Sequence, residues 1–160
     1  MFPGVYRLIK EIPSNKLRLL LCRKLGMIIG DGTVIRPGAE FNLPNIVIGK
    51  NVFINSRCQF NTGWGGDARI SIGDNVRVAM DVSFICVSHE IGGSDRRAAA
   101  DTYEGISVGN GVWIGARSTI LQGVEIGEGV IIGAGSLVLE NCEPNCLYAG
   151  VPAKLIKRLQ

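Results

Sequence analysis

The sequence repeats every six residues over most of its length. From Ile114 the chain reads IGARST, ILQGVE, IGEGVI, IGAGSL and VLENCE. Each block opens with Ile or Val and has a small or β-branched residue at its fifth position. Earlier blocks in the same pattern begin at Ile29, Ile35, Ile48, Ile54, Ile72, Val78, Phe84 and Val108. One such hexapeptide is a weak signal, but at least eleven in phase predict a structural repeat.

A six-residue unit is long enough for one short strand and one corner. Because strand side chains alternate between the two faces, the aliphatic opener and the small fifth residue both point inward. Glycine and asparagine suit the corners, which need positive φ or close backbone approach. Three units close one triangular coil, and stacked coils form an all-β, parallel β-helix around one aliphatic core. The 22 glycines in 160 residues, about twice the usual share, agree with this fold.

Two segments break the repeat. Residues 60–69 are glycine-rich, contain Trp64 and predict a loop or bulged corner. Residues 90–105 are polar and have no apolar period. A loop of that length in a compact domain is usually functional or disordered. It follows His89 directly, so we expect an extruded loop beside this histidine.

The ends of the chain differ from the repeat. Residues 1–27 carry six basic side chains and one acidic one, and they predict a short helical cap over the open end of the coils. Ser14 is the expected N-cap, and we expect the apolar face to be formed by Leu17, Leu20, Leu21 and Leu25. The alternative is weak contact of this segment with an anionic membrane surface. The β-helix is expected over 28–152, and a helical tail over 153–160.

Charge and cysteine content exclude several classes. The net charge is +3, and without residues 1–27 it is −2, which argues against a nucleic-acid partner. The N-terminus has no secretory signal pattern, so we expect a cytoplasmic protein, or one at the inner face of the membrane. The five cysteines include no CxxC pair and are expected to be buried free thiols. With a single histidine to join them, we expect no metal site.

The C-terminal third resembles a known family. VWIG at 112–115, IGAGS at 132–136 and AGVPAK at 149–154 resemble the hexapeptide-repeat acyltransferases, whose fold is the left-handed parallel β-helix. The resemblance is to the sugar O-acetyltransferase branch, with the galactoside, maltose, xenobiotic and colanic acid acetyltransferases. It implies acetyl-CoA as co-substrate and a homotrimer with its active sites between neighbouring subunits.

The resemblance also implies roles for individual residues. His89, 24 positions before Trp113, matches the family's general base, and an imidazole suits that role at neutral pH. The resemblance assigns an acceptor contact to Asn55. We also expect acceptor contacts from Asp67 and from Arg96 in the long loop, although loop charges such as Arg96 and Asp101 can also be simply solvated. Acetyl-CoA contacts are assigned to Trp113, Ala116, Ala134, Lys154 and Lys157. Trp113 can equally well pack against a neighbouring subunit.

The resemblance therefore implies an enzyme that moves an acetyl group to a sugar hydroxyl, which we expect to act in polysaccharide or glycolipid synthesis. The alternatives are an N-acetyltransferase of a nucleotide-linked amino sugar and a xenobiotic acetyltransferase. A γ-type carbonic anhydrase needs three histidines, and a scaffold needs neither the histidine nor the basic tail. Two departures from the family concern the site: Leu139 and Glu140 replace a Thr-Lys pair, and extra residues surround Trp64.

Overall fold

A computed structural model describes residues 9–42, 45–65 and 67–160. Within them one α-helix, α1 (Asn15–Lys24), precedes nineteen short strands. The strands are β1 (Ile28–Ile29), β2 (Val34–Ile35), β3 (Glu40–Phe41), β4 (Ile46–Ile48), β5 (Phe53–Ile54), β6 (Gln59–Asn61), β7 (Ile70–Ile72), β8 (Arg77–Val78), β9 (Ser83–Ile85), β10 (Val87–Ile91), β11 (Ala98–Tyr103), β12 (Ile106–Val108), β13 (Trp113–Ile114), β14 (Thr119–Leu121), β15 (Glu125–Ile126), β16 (Ile131–Ile132), β17 (Leu137–Val138), β18 (Cys146–Gly150) and β19 (Ala153–Arg158).

Three sheets, parallel except for the last strand β19, form the body of the molecule. Sheet 1 has the order β1-β4-β7-β12-β15, sheet 2 the order β19-β18-β16-β13-β8-β5-β2, and sheet 3 the order β17-β14-β9-β6-β3. The chain visits sheets 1, 2 and 3 in turn and then returns to sheet 1 one level higher. Residues that pair in register therefore lie above one another in successive coils, as Ile46, Ile70 and Ile106 do in sheet 1. This is the predicted parallel β-helix.

The core follows the hexapeptide pattern. Every predicted opener is buried, from Ile29 in the first coil to Val138 in the last. The small fifth positions are buried too, among them Thr33, Val76 and Ser118, except for Ser88, which is exposed. In the first coils the inward position of sheet 3 is aromatic, and the rings of Phe41, Phe60 and Phe84 stack with centroids 4.9 Å apart. The predicted inward orientation is confirmed at every opener and at every fifth position except Ser88, which lies on β10 where the chain leaves the coils.

The corners carry the expected residues and some unexpected ones. Asn51, Asn75 and Asn145 have φ of 54°, 59° and 53°, which is the left-handed conformation that asparagine tolerates. At the corner between sheets 2 and 3, Arg57 and Asp81 also have positive φ. Their side chains form a two-pronged ion pair of 2.7 and 2.9 Å between adjacent coils, which lowers the pKa of the Asp81 carboxyl.

Helix α1 lies across the open edge of the first coil. Ser14 caps it, because its hydroxyl accepts from the Leu17 amide at 3.4 Å. Arg18 is 1% exposed, and its guanidinium donates to the carbonyl oxygens of Ile12 and Ile35. The carbonyl of Ile35, at the end of edge strand β2, is thereby satisfied. The part of the predicted cap within residues 1–8 lies outside the described residues.

The predicted apolar face of this helix is only half right. Leu21 and Leu25 are half-buried and pack against the core, but Leu17 and Leu20 are exposed. The fully buried side of α1 is formed by Arg18, Leu19 and Cys22. The helix turns this side to the coils because the edge of β2 presents backbone carbonyls that Arg18 can satisfy. A leucine at that place would leave them without a partner.

The predicted C-terminal helix is also wrong. Residues 153–158 form β19, which pairs antiparallel with β18 after a two-residue turn at Val151 and Pro152. The open edge of β18 offers backbone hydrogen bonds that an isolated eight-residue helix cannot match, because helix propensity is only a weak preference. A bulge in this pairing sets Lys154 opposite Ala149 and Lys157 opposite Leu147. Both lysines therefore lie on the same face of sheet 2.

Candidate functional site

The segment that was expected to be a loop at 90–105 is largely an antiparallel hairpin. β10 and β11 leave the coils at the corner between sheets 3 and 1, with a turn at residues 92–97. Its strands show no apolar alternation because both faces of the hairpin are largely exposed. The hairpin carries His89 on one strand and Asp101 directly opposite on the other.

His89 and Asp101 form a close pair. The Nδ1 atom of His89 lies 3.0 Å from Oδ1 of Asp101, and both side chains are about half exposed, at 50% and 51%. A carboxylate beside Nδ1 favours the tautomer with its proton on that nitrogen. The lone pair is then on Nε2, which makes the imidazole able to accept a proton from a bound molecule.

A tyrosine holds the other oxygen of Asp101. The hydroxyl of Tyr103 donates to Oδ2 at 3.0 Å, and this hydrogen bond is the main cause that raises the pKa of Tyr103. Its ring lies against Gly63 and Gly65 on either side of Trp64. A Cβ at Gly63 would come within 2.4 Å of the ring, and one at Gly65 within 2.9 Å of the hydroxyl oxygen. The turn at 63–65 and the hairpin are thus in direct contact.

Two half-buried asparagine side chains anchor that turn to the coils. The side chain of Asn42 donates to Oδ1 of Asn61 at 2.8 Å and to the Gly63 carbonyl at 3.0 Å. The Asn42 oxygen accepts from the amide of the buried Thr62 at 2.9 Å, and Oδ1 of Asn61 accepts from the Gly63 amide at 3.0 Å. The next residue, Trp64, is 65% exposed at the tip of the turn.

A second group of predicted residues lies on sheet 2. Trp113, Ile131, Leu147 and Lys157 pair in register and form one outward column. At about 4.8 Å between strands, Trp113 and Lys157 are separated by roughly 14 Å along the helix axis. Trp113 is 55% exposed. The column is an extended strip with an aromatic side chain at one end and a cation at the other.

The corner beside this strip carries the small residues. Ala116 and Ala134 lie on adjacent coils, and the Gly135 amide donates to the Ala116 carbonyl at 2.8 Å. Asn55 lies at the same corner, on a lower coil. Lys154 pairs with Glu140 at 3.4 Å, and Glu140 is one of the two residues at which the sequence departs from the family it resembles.

The predicted site residues therefore fall into two groups on different sides of one protomer. His89 and Arg96 belong to the hairpin at the corner between sheets 3 and 1, and Asp67 lies in the segment that leads to the same corner. Trp113 lies on sheet 2, which is the face opposite that corner in a triangular prism. Asn55, Ala116 and Ala134 lie at the corner between sheets 2 and 3. A single protomer does not bring the two groups together.

Sequence reasoning underrated Asp101 and missed Tyr103. From the sequence, Asp101 could be a solvated charge of the loop, and Tyr103 was given no role. A signal was present, because residues 101 and 103 share one face of any strand. The pairing of that strand with His89 is long-range, however, and no local pattern indicates it.

The cysteines are all buried and free, as predicted. Burial raises the pKa of the Cys58 and Cys142 thiols to about 11 and that of Cys86 to about 12, so they are poor nucleophiles and metal ligands. In the ranges that the structure describes, no three His, Cys, Asp or Glu side chains are arranged to hold a metal ion. In the same ranges, no helix is long and apolar enough to cross a membrane.

Comparisons with known proteins agree with this architecture. The bacterial transferase hexapeptide (six repeats) family matches residues 105–140. Galactoside O-acetyltransferase of Escherichia coli strain K12 is 34% identical over 140 residues, which are 87% of this chain and 67% of that protein. A putative acetyltransferase of Staphylococcus haemolyticus is 39% identical over 72% of this chain but only 58% of its own length.

Solved structures extend the similarity to nearly the whole chain. A Vibrio cholerae hexapeptide-repeat acetyltransferase complexed with acetyl coenzyme A has a TM-score of 0.85 and 30% identity, covering 99% of this chain and 85% of its own. Galactoside acetyltransferase in complex with coenzyme A also has a TM-score of 0.85, at 28% identity, covering 99% and 80%. These matches confirm the left-handed parallel β-helix. The chain belongs to the hexapeptide-repeat acetyltransferase family.

Proposed function

We propose that this protein is an acetyl-CoA-dependent O-acetyltransferase that acts on a sugar hydroxyl, with His89 as general base. The observation that carries the proposal is the His89–Asp101 pair, which leaves Nε2 of an exposed imidazole as proton acceptor. The pair lies on a hairpin beside an exposed tryptophan, so a substrate can reach it from solvent.

The reaction is direct attack on the thioester. The acceptor oxygen forms a bond to the acetyl carbonyl carbon while Nε2 of His89 takes the hydroxyl proton. When the tetrahedral intermediate collapses, the carbon–sulfur bond breaks and the proton passes to the departing CoA thiolate. The Asp101 carboxylate orients the imidazole and stabilises its cationic form. No free thiol serves as nucleophile, because the cysteines are buried.

Two features favour a sugar as acceptor. The relatives include galactoside and maltose O-acetyltransferases. In this chain Trp64 also offers an exposed indole, on the turn that Tyr103 of the hairpin contacts. Aromatic faces suit the apolar side of a pyranose ring because they bury a large area. Polysaccharide or glycolipid synthesis in the cytoplasm, or at the inner face of the membrane, is the setting we infer. Contact of residues 1–27 with an anionic membrane surface remains a prediction.

The function is tested by acetyl-CoA consumption against a panel of galactosides, maltose, amino sugars and chloramphenicol. We expect turnover with a neutral sugar, and an ester product that hydroxylamine cleaves. Turnover only with an amino sugar, giving an amide that resists hydroxylamine, would favour the N-acetyltransferase alternative. Turnover only with chloramphenicol would favour the xenobiotic one.

We further propose a homotrimer with each active site between neighbouring subunits. The hairpin with His89 and the strip with Trp113 and Lys157 lie on opposite sides of a protomer. Three prisms related by a closed rotation bring the hairpin of one subunit to the strip of the next. Partly exposed apolar side chains on the strip, such as Ile131 and Leu147, suit burial against another subunit. Light scattering at micromolar concentration is expected to give three times the chain mass.

The lysines of β19 are expected to bind the phosphates of CoA. Replacing Lys154 and Lys157 together with alanine should raise KM for acetyl-CoA about tenfold with little change in kcat, because charge-assisted contacts to a phosphate are lost. Glu140→Gln should lower KM by about threefold, since it frees Lys154 from its ion pair. Steady-state kinetics at low salt measure both effects.

Two controls accompany this test. Lys50→Ala removes an exposed lysine at another corner and should leave KM unchanged. With acetyl-dephospho-CoA, the double variant and the unmodified enzyme should differ much less if the lysines contact the 3′-phosphate. An unchanged KM for acetyl-CoA in the double variant would exclude both lysines from the site.

A further inference from the structure

We propose that Tyr103 is a positioning residue that acts on His89 through Asp101 and ties this pair to the turn at 63–65. The proposal rests on the proposed function, in which His89 is the base. Tyr103 and His89 contact different oxygens of the same carboxylate, at 3.0 Å each. The carboxylate therefore has a partner on either side.

The need for such a residue follows from exposure. His89 and Asp101 are both about half exposed and lie on a two-stranded hairpin outside the packed core. An exposed aspartate with a single partner can rotate about its side-chain bonds and exchange that partner for water. A second donor on Oδ2 restricts this rotation and keeps Oδ1 directed at Nδ1 of His89.

The tyrosine is itself held in place. Its ring lies on the surface of the turn where a Cβ of Gly63 or Gly65 would otherwise stand. The hydrogen bonds of Asn42 and Asn61 anchor that turn to the coils. A continuous set of contacts thus runs from these half-buried asparagine side chains through Gly63, Tyr103 and Asp101 to His89. Because the turn also carries Trp64, the base and the expected acceptor surface share one support.

Tyr103→Phe is the first test, because it removes the hydroxyl and keeps the ring against Gly63. We expect kcat to fall about three- to tenfold, the usual worth of one hydrogen bond. KM for acetyl-CoA should not change. Tyr148→Phe is the matched control: it also removes a tyrosine hydroxyl in a hydrogen bond, here to the Glu143 amide at 3.0 Å. It should leave kcat unchanged.

A spectroscopic measurement separates positioning from mere stability. His89 is the only histidine in the chain, so its ring nitrogens give the only imidazole signals in a ¹⁵N spectrum. The unmodified protein should show mainly the tautomer with the proton on Nδ1. Tyr103→Phe should increase the share of the other tautomer, whereas Tyr148→Phe should not. This readout needs no substrate, so it tests Tyr103 even if His89 proves not to be the base.

A double-mutant cycle decides whether the effect passes through Asp101. Asp101→Asn keeps the size of the side chain and removes its charge. In that background, adding Tyr103→Phe should cost nothing further, because the coupled partner is already lost. Additive losses, or an unchanged tautomer and kcat in Tyr103→Phe, would overturn the proposal. If Tyr103→Phe loses the tautomer preference while His89→Ala keeps full activity, Tyr103 positions the imidazole but His89 is not the base. That result would retain the positioning role and reject the proposed mechanism.

Discussion

His89→Ala should lower kcat by about 10²–10⁴, the usual contribution of a positioned general base. The variant cannot accept the hydroxyl proton, so the acceptor oxygen must attack the thioester as a neutral alcohol. Binding of acetyl-CoA should survive, because the residues assigned to it lie on sheet 2 and its corner. The thermal midpoint should change little, because the side chain is half exposed and outside the core. Single-turnover kinetics and isothermal titration with CoA measure the two effects separately.

Ser88→Ala is the matched control for this variant. Ser88 is exposed on the same strand, and its side chain points to the other face of the hairpin. Its kcat should stay near that of the unmodified enzyme. Near-normal turnover of His89→Ala with the true acceptor would reject the mechanism.

Mixed oligomers of two inactive variants should regain activity. His89→Ala lacks the base, and Ala134→Phe should block the acetyl-CoA surface with a bulky ring at an exposed corner. If each site takes its histidine from one subunit and its acetyl-CoA surface from the next, every mixed trimer contains one intact site. The two variants are co-expressed with different tags, and mixed trimers are purified on both tags. These trimers should have about one third of the normal activity, whereas either variant alone should have almost none.

The outcome distinguishes two architectures. If one subunit supplied both groups of residues, no mixture of the two variants would contain an intact site, and the doubly tagged protein would stay inactive. The control is a doubly tagged preparation of His89→Ala alone, which should be inactive in both cases. Recovery of activity together with a mass of three chains would support the trimer and the shared site at once.

The fold could be predicted from the sequence because its cause is local and repeated. An aliphatic residue at each opener and a small one four positions later force the same strand and corner in every coil. A single error in the pattern matters little, because each coil packs on two neighbours that impose the same register. The buried cysteines followed from the same reasoning, since Cys58 and Cys142 occupy fifth positions of the repeat.

The parts that sequence reasoning got wrong lie where the repeat stops. Residues 153–158 have helix-forming composition, yet they form β19 because the edge of β18 is open beside them. Two of the four leucines expected on the apolar face of α1, Leu17 and Leu20, are exposed because the edge of the first coil needs the hydrogen bonds of Arg18 instead. In both cases the partner is a strand edge, and its unsatisfied backbone groups outweigh local propensity.

The candidate site divides in the same way. The sequence by itself determined the β-helical core, the glycine and asparagine corners, and His89 as the only histidine able to act as base. Only the tertiary structure decided that residues 90–105 form a hairpin, that Asp101 and Tyr103 meet there, and that Trp113 lies on the opposite side of the protomer. The physical reason is the separation of the interacting residues along the sequence. The repeat can be recognised from residues six positions apart, whereas the site depends on which distant strands become neighbours after folding.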